Sequence, residues 1–162
     1  MDKQAILNLL ETRGIHCEVA EHEAVWHMGA LAACGIPHTD RIAKNLLLRD
    51  DRKQHYFLVS IRGEKRLDLR AFHQAHGTRP LTFASDADLA RLLALTPGSV
   101  TPFGLLNTAP GQVAWFLDAA FLGGDGLIGV HPNDNTATVF LTAADLVALL
   151  EEQGHPVEVC TF

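Results

Sequence analysis

IAKNLLLRDDRKQHYFLVSI, residues 42–61, decides the fold. Ile42 to Leu48 is an apolar run around Lys44 and Asn45, and Gln54 to Ile61 is rich in Tyr, Phe, Val and Ile. Asp50, Asp51 and Arg52 supply the turn between them, so the stretch predicts two strands joined by a polar turn. Toward the N-terminus, Ile6, Leu9, Leu10 and Arg13 recur at helical spacing and stop at Gly14, which predicts an amphipathic helix over 2–13. A short strand at 15–20 follows, then a helix over 24–34 ended by Gly35 and Pro37. Toward the C-terminus, helices are predicted over 67–76 and 85–95, with Ser85 as N-cap and Asp88 as its capping-box partner. The loop TPGSVTPFG, 96–104, leads to strands at 112–117, 126–130 and 136–141, and a closing helix over 142–153 starts from Thr142 and ends at Gly154. Helices and strands alternate without the unit length of a doubly wound fold, so the predicted class is α+β: a mixed, curved sheet flanked by helices.

With 162 residues, the expectation is one domain over 1–162, enough to bury a single core. Hydrophobic residues make up 48% and charged residues 20%, which excludes disorder. The opening MDKQAILNLLETRG does not resemble a signal peptide, and the richest apolar stretch, VAWFLDAAFLGGDGLIGV, is broken by Asp118, Asp125 and glycines. No membrane role and a cytoplasmic location are expected. Cys17, Cys34 and Cys160 form no CxxC pair and read as buried or idle thiols. A net charge of −6 argues against a broad basic surface for nucleic acid, while leaving room for a local patch on a single-stranded end.

No Walker loop and no Gly-x-Ser-x-Gly elbow is present. His22 and Glu23 suggest a zinc protease, but His27 lies five residues from His22, roughly 140° around a helix instead of about 40°. His73 and His76 pair at i and i+3 without a third ligand, so no metal and no cofactor are assigned. Four features remain. Lys44-Asn45 interrupts an apolar strand, where a fixed positive charge suits a phosphate or carbonyl oxygen as well as a solvated edge. Gly98-Ser99-Val100-Thr101-Pro102 is either an ordinary turn or a loop whose N–H groups approach an oxyanion. His131 sits between two strand-like runs, and could orient or protonate a reacting group. Arg62, Lys65 and Arg66 cluster at a turn into a helix, as salt-paired surface or as phosphate binders.

Taken together, KNLLLRD, SIRGEKRLDL, LTFASDADLARLL, TPGSVTPFGLLN and VHPNDNTATVFL, in this order, resemble the YbaK and prolyl-tRNA-synthetase-associated domain family, in its freestanding ProX/PrdX prolyl-tRNA editing branch. The resemblance implies a partly barrel-like mixed sheet and a hydrolase that deacylates mischarged tRNA, with alanyl-tRNA(Pro) as the usual substrate. It implies Lys44 as the functional lysine, Asn45 as the amide beside it, Gly98 to Pro102 as the GxxxP loop and His131 as the histidine before NTAT. The implied partner is the acceptor end of mischarged tRNA, with transient contact to prolyl-tRNA synthetase or elongation factor. Segment 22–38, HEAVWHMGALAACGIPH, departs from the family pattern and is expected to line the acyl pocket. Cysteinyl-tRNA(Pro) therefore remains an alternative substrate, and a noncatalytic tRNA-binding module of the same fold the alternative of another class.

Overall fold

The computed structural model describes residues 1–162. In chain order it contains α1 (Lys3–Thr12), β1 (Glu18–Glu21), α2 (Met28–Ala33), β2 (Ala43–Asp50), β3 (Tyr56–Arg62) and α3 (Leu69–His76). These are followed by β4 (Leu81–Phe83), α4 (Asp86–Leu93), β5 (Val113–Asp118), β6 (Leu127–Val130), β7 (Ala137–Thr142), α5 (Ala143–Glu152) and β8 (Val157–Cys160). Short 3₁₀ turns occupy Thr39–Arg41, Pro102–Asn107 and Ala119–Leu122. No helix is long and apolar enough to cross a membrane.

β2 and β3 form the expected antiparallel hairpin, in register from Ala43 opposite Arg62 to Arg49 opposite Tyr56. Asp50, buried at its end, closes the turn: its carboxylate accepts from the Gln54 N–H at 2.8 Å and from His55 Nδ1 at 2.7 Å. β5 adds in parallel to β3 and β8 in parallel to β5, while β4 pairs with β2 only over Leu48–Asp50. The order is β4-β2-β3-β5-β8. A parallel β3–β5 neighbour requires a crossover, which α3, β4 and α4 supply. β3 is covered on both faces, and Leu58, Val59 and Ile61 are fully buried.

β1, β7 and β6 form a second, antiparallel sheet. The two sheets meet at one isolated bridge between Ile42 and Gly129. The mixed α+β class expected from the alternation of elements is present, but the strands are divided between two sheets that do not close into a barrel. The largest core gathers Ile6 and Leu10 of α1, Leu89, Leu92 and Leu93 of α4 and Leu146, Leu149 and Leu150 of α5 against Leu58, Trp115, Val139 and Leu141. A smaller core packs Phe72 of α3 on Val59, Ile61 and Phe116, and a third packs Val25, Leu31 and Ile36 on Ile42 and Phe140 at the junction of the sheets.

The helix starts follow the capping chemistry. Asp2, Asp68, Ser85 and Thr142 accept from the first-turn N–H groups of α1, α3, α4 and α5, and Ser85 with Asp88 forms the full capping box. α2 is shorter than the 24–34 expected: residues 24–27 are extended or bent, and His27 Nδ1 accepts from the Ala30 N–H as the cap. The first strand lies at 18–21 rather than 15–20. The edge strands β4 and β8 have no counterpart among the expected elements, because three or four residues are too few for alternation to show.

Gly129 makes the junction possible. A Cβ there would lie 2.5 and 2.9 Å from Phe140 Cε1 and Cδ1 and 3.2 Å from Ile42 Cγ1. Phe140 is 1% exposed and has no room to withdraw. Gly129→Ala is therefore expected to cost about 1–3 kcal/mol through overpacking, measured as a lower urea midpoint.

Candidate active site

A cleft of about 540 Å³ runs along the first half of β2. Ala43, Lys44, Asn45 and Leu46 form its floor, and Gly63, Gly98, Val100 and His131 enter from three separate turns. Val25, Trp26, His27, Met28 and Leu31 close the remaining side. Successive strand residues point to opposite faces, yet Lys44 and Asn45 both reach this cleft. β4 pairs with β2 only from Leu48 onward, and the bridge to β6 is at Ile42, so the edge of β2 between them is open. The cleft wraps that open edge.

Lys44 is aimed by a chain of polar contacts that begins at a buried carboxylate. Asp118, 0% exposed at the end of β5, accepts from the Arg62 N–H at 3.2 Å, the Ala120 N–H at 3.0 Å and Lys65 Nζ at 2.8 Å. These bonds hold the β3–α3 turn, and the Lys65 carbonyl of that turn accepts from Lys44 Nζ. An ammonium has three donors, so this bond orients Lys44 and leaves donors for a ligand. Beside it, Asn45 Oδ1 is buried with no hydrogen-bond partner. A buried unpaired acceptor costs on the order of 1–3 kcal/mol unless a ligand or water satisfies it.

His131 follows β6 directly. Its Nδ1 lies 2.8 Å from the Ala137 carbonyl, which can only accept, so Nδ1 carries the proton and a neutral ring leaves Nε2 as an acceptor. Burial pulls its pKa below the ordinary histidine value; the Ala137 carbonyl opposes this, and the nearby His22, with ring centroids 6.0 Å apart, lowers it further. Thr101 Oγ1 donates to the His131 carbonyl at 2.7 Å and locks the 96–101 loop to this turn. Within that loop the Ser99 N–H is spent on Thr96, while the N–H groups of Gly98, Val100 and Thr101 have no protein partner. Gly98 takes φ +83, a conformation that favours glycine.

The sequence-derived candidates thus separate into two groups. Lys44, Asn45, Gly98, Val100 and His131 share the cleft. Ser99 and Thr101 are buried behind the loop, and Pro102 is buried where it starts the following 3₁₀ turn, so these three shape the loop without facing the cleft. Lys65 is paired with Asp118, and Arg62 lies 3.3 Å from Glu64. Only Arg66 is exposed and free of an ion pair. The α3 N-terminus, read as a phosphate site, is already capped by the Asp68 carboxylate, which accepts from the Ala71 N–H at 3.0 Å. Cys34 is exposed and Cys17 and Cys160 are half-buried, so none of the three thiols is a core residue. His73 contacts the Thr78 carbonyl, and His76 meets Glu158 and Cys160 on the face of the sheet under α3, apart from the cleft.

Individual residues of 25–31, Gly63 and Asp118 were not recognised from the sequence as parts of this site. An aspartate ending the apolar run VAWFLD was the available signal for Asp118.

Comparison with known proteins identifies the family of the chain. The aminoacyl-tRNA editing domain family matches residues 22–149. The chain belongs to that family. The prolyl-tRNA editing protein ProX of Acetoanaerobium sticklandii is 36% identical over 154 residues, covering 94% of this chain and 93% of the relative. The prolyl-tRNA synthetase associated domain-containing protein 1 of Bos taurus is 30% identical over 167 residues, covering 99% and 95%. A crystal structure of a candidate trans-editing enzyme for prolyl tRNA synthetase superposes with TM-score 0.71 at 26% identity, covering 99% of this chain and 96% of the other. The matched span of this editing domain includes every cleft residue named above.

Two expectations follow from the electrostatics of this editing domain. Burial also lowers the pKa of His155, so His155 and His131 both stay neutral in the fold where the unfolded chain, with a histidine pKa of about 6.5, takes up protons. Stability therefore falls as pH drops below about 6.5 and levels off below the folded values; His131→Gln should flatten part of this slope in urea titrations between pH 7.5 and 5.5. Removing the buried anion by Asp118→Ala strands Lys65 and the Arg62 and Ala120 N–H groups, and is expected to cost about 3 kcal/mol in the same assay.

Proposed function

We propose that this chain, as one editing domain over 1–162, is a trans-editing hydrolase that removes alanine from mischarged tRNA(Pro). The observation that carries the reading is the meeting of Lys44, Asn45, Gly98 and His131 in one cleft from separate elements, within a family of aminoacyl-tRNA editing domains. A relative named as a prolyl-tRNA editing protein and a structure titled as a trans-editing enzyme for prolyl tRNA synthetase support proline tRNA as the acceptor.

An aminoacyl ester is already activated, so its hydrolysis needs a held carbonyl, a directed water and a stabilised oxyanion. In the proposed mechanism the unpaired Gly98 and Val100 N–H groups bind the carbonyl oxygen. Lys44 uses its remaining donors on the terminal nucleotide's phosphate, and Asn45 Oδ1 accepts from the α-ammonium of the substrate. His131, neutral near pH 7, accepts from the attacking water through Nε2. Water oxygen bonds to the carbonyl carbon, the bond from that carbon to the ribose oxygen breaks, and the departing oxygen takes the proton. The products are alanine and free tRNA.

The need for such a site follows from size. A pocket built for proline cannot exclude the smaller alanine sterically, so a second pocket must accept alanine and refuse proline. Val25, Met28 and Leu31 form the apolar side of this cleft and are proposed to exclude the proline ring. Delivery by prolyl-tRNA synthetase or elongation factor in the cytoplasm belongs to the same proposal.

The test is deacylation of alanyl-tRNA(Pro) beside prolyl-tRNA(Pro) and cysteinyl-tRNA(Pro). Loss of alanine alone is expected. Preference for cysteine would move the specificity, and tRNA binding without turnover of any substrate would leave a binding module. Lys44→Ala is expected to lower kcat/KM by on the order of a hundredfold, with stability held within about 1 kcal/mol; unchanged kinetics would remove Lys44 from the mechanism.

A further inference from the structure

We infer that Trp26 is a stacking platform for the terminal adenine base of the tRNA acceptor end, an assignment that rests on the hydrolase reading above. Trp26 is 69% exposed, the most exposed large apolar side chain of the protein, and it lies on the rim of the cleft. It is nevertheless held in place. A Cβ on Gly98 would lie 2.6 Å from Trp26 Cε3 and 3.1 Å from Cζ3, so the indole rests on the bare glycine backbone. The residues on either side are pinned as well: the Val25 carbonyl accepts from Asn135 Nδ2 at 3.2 Å, and His27 Nδ1 caps α2.

An aromatic ring fixed on the protein side and open to solvent on the other offers a π-face to a planar partner. The alanyl group is too small to cover it. The terminal nucleotide of a tRNA carries an adenine one ribose away from the scissile ester, and the ester is assigned to the Gly98 backbone on which this indole rests. Charge points the same way. The protein carries −6, Lys65 is held by Asp118, and Arg62 sits against Glu64, which leaves little broad phosphate attraction. Stacking on an unpaired base adds affinity that does not depend on charge.

Only two tryptophans are present, and the second, Trp115, is 2% exposed with its indole N–H on Ser60 Oγ. Quenching of emission by acrylamide therefore reports on Trp26. Uncharged tRNA(Pro) ending in CCA is expected to shield this emission, and the same tRNA trimmed to CC is expected not to. Trp26→Ala should raise KM for alanyl-tRNA(Pro) about tenfold, while Trp26→Phe, which keeps a stacking face, stays within about threefold of wild type. Equal shielding by both tRNAs would overturn the platform, as would an unchanged KM in Trp26→Ala. A change in alanine-over-proline selectivity without a change in KM would also overturn it, by placing Trp26 against the acyl group. If the wild-type protein hydrolyses no ester but still distinguishes CCA from CC, the platform stands and the hydrolase reading falls.

Discussion

The join between Ile42 and Gly129 is the constraint on which the cleft depends. The backbones of the two sheets are bridged only there, and the open edge of β2 from Ala43 to Leu46 lies beside that bridge. A full ladder between β2 and β6 would fill this space with backbone hydrogen bonds. A looser contact would expose the Phe140 face that Ile42, Val25 and Leu31 cover. A glycine at the crossing lets the sheets approach closely enough to seal that third core while leaving the neighbouring edge free.

Onto this frame the site is assembled from turns, each tied down by a polar bond to something more rigid. Asp118 anchors the β3–α3 turn, whose Lys65 carbonyl holds Lys44. Thr101 anchors the 96–101 loop to the His131 carbonyl, and the His131 ring is anchored by Ala137. In a half-buried cleft these bonds fix donor directions before any ligand arrives, which is where electrostatic stabilisation of a transition state has its greatest effect. Asn45 Oδ1, left unpaired in the same place, is the group whose pairing would be gained on binding.

The segment from Val25 to Met28 closes the cleft by occupying space that glycines vacate. Trp26 lies on Gly98, and the Met28 methyl lies 2.4 Å from where a Cβ of Gly63 would stand. Both glycines belong to loops that carry the polar groups of the site. The wall and the floor of the cleft therefore interlock through missing side chains.

The sequence by itself determined the β2–β3 hairpin, the helix caps at Ser85 and Thr142 and the α+β class, and through five ordered motifs it singled out Lys44, Asn45, Gly98 and His131 as candidates. All of these rest on local signals: strand composition, side chains that bond to their own first turn, and residue types in a fixed order. Only the tertiary structure decided which of the candidates meet. Ser99, Thr101 and Pro102 stand beside Gly98 in the chain but turn inward, because one loop cannot direct every side chain to one cleft. Lys65 was legible as a charge, but its partner Asp118 lies 53 residues away in the sequence, and pairing over that separation is set by strand order. The division into two sheets was illegible for the same reason: it hangs on a bridge between residues 42 and 129, and neither residue carries a local sign of the other.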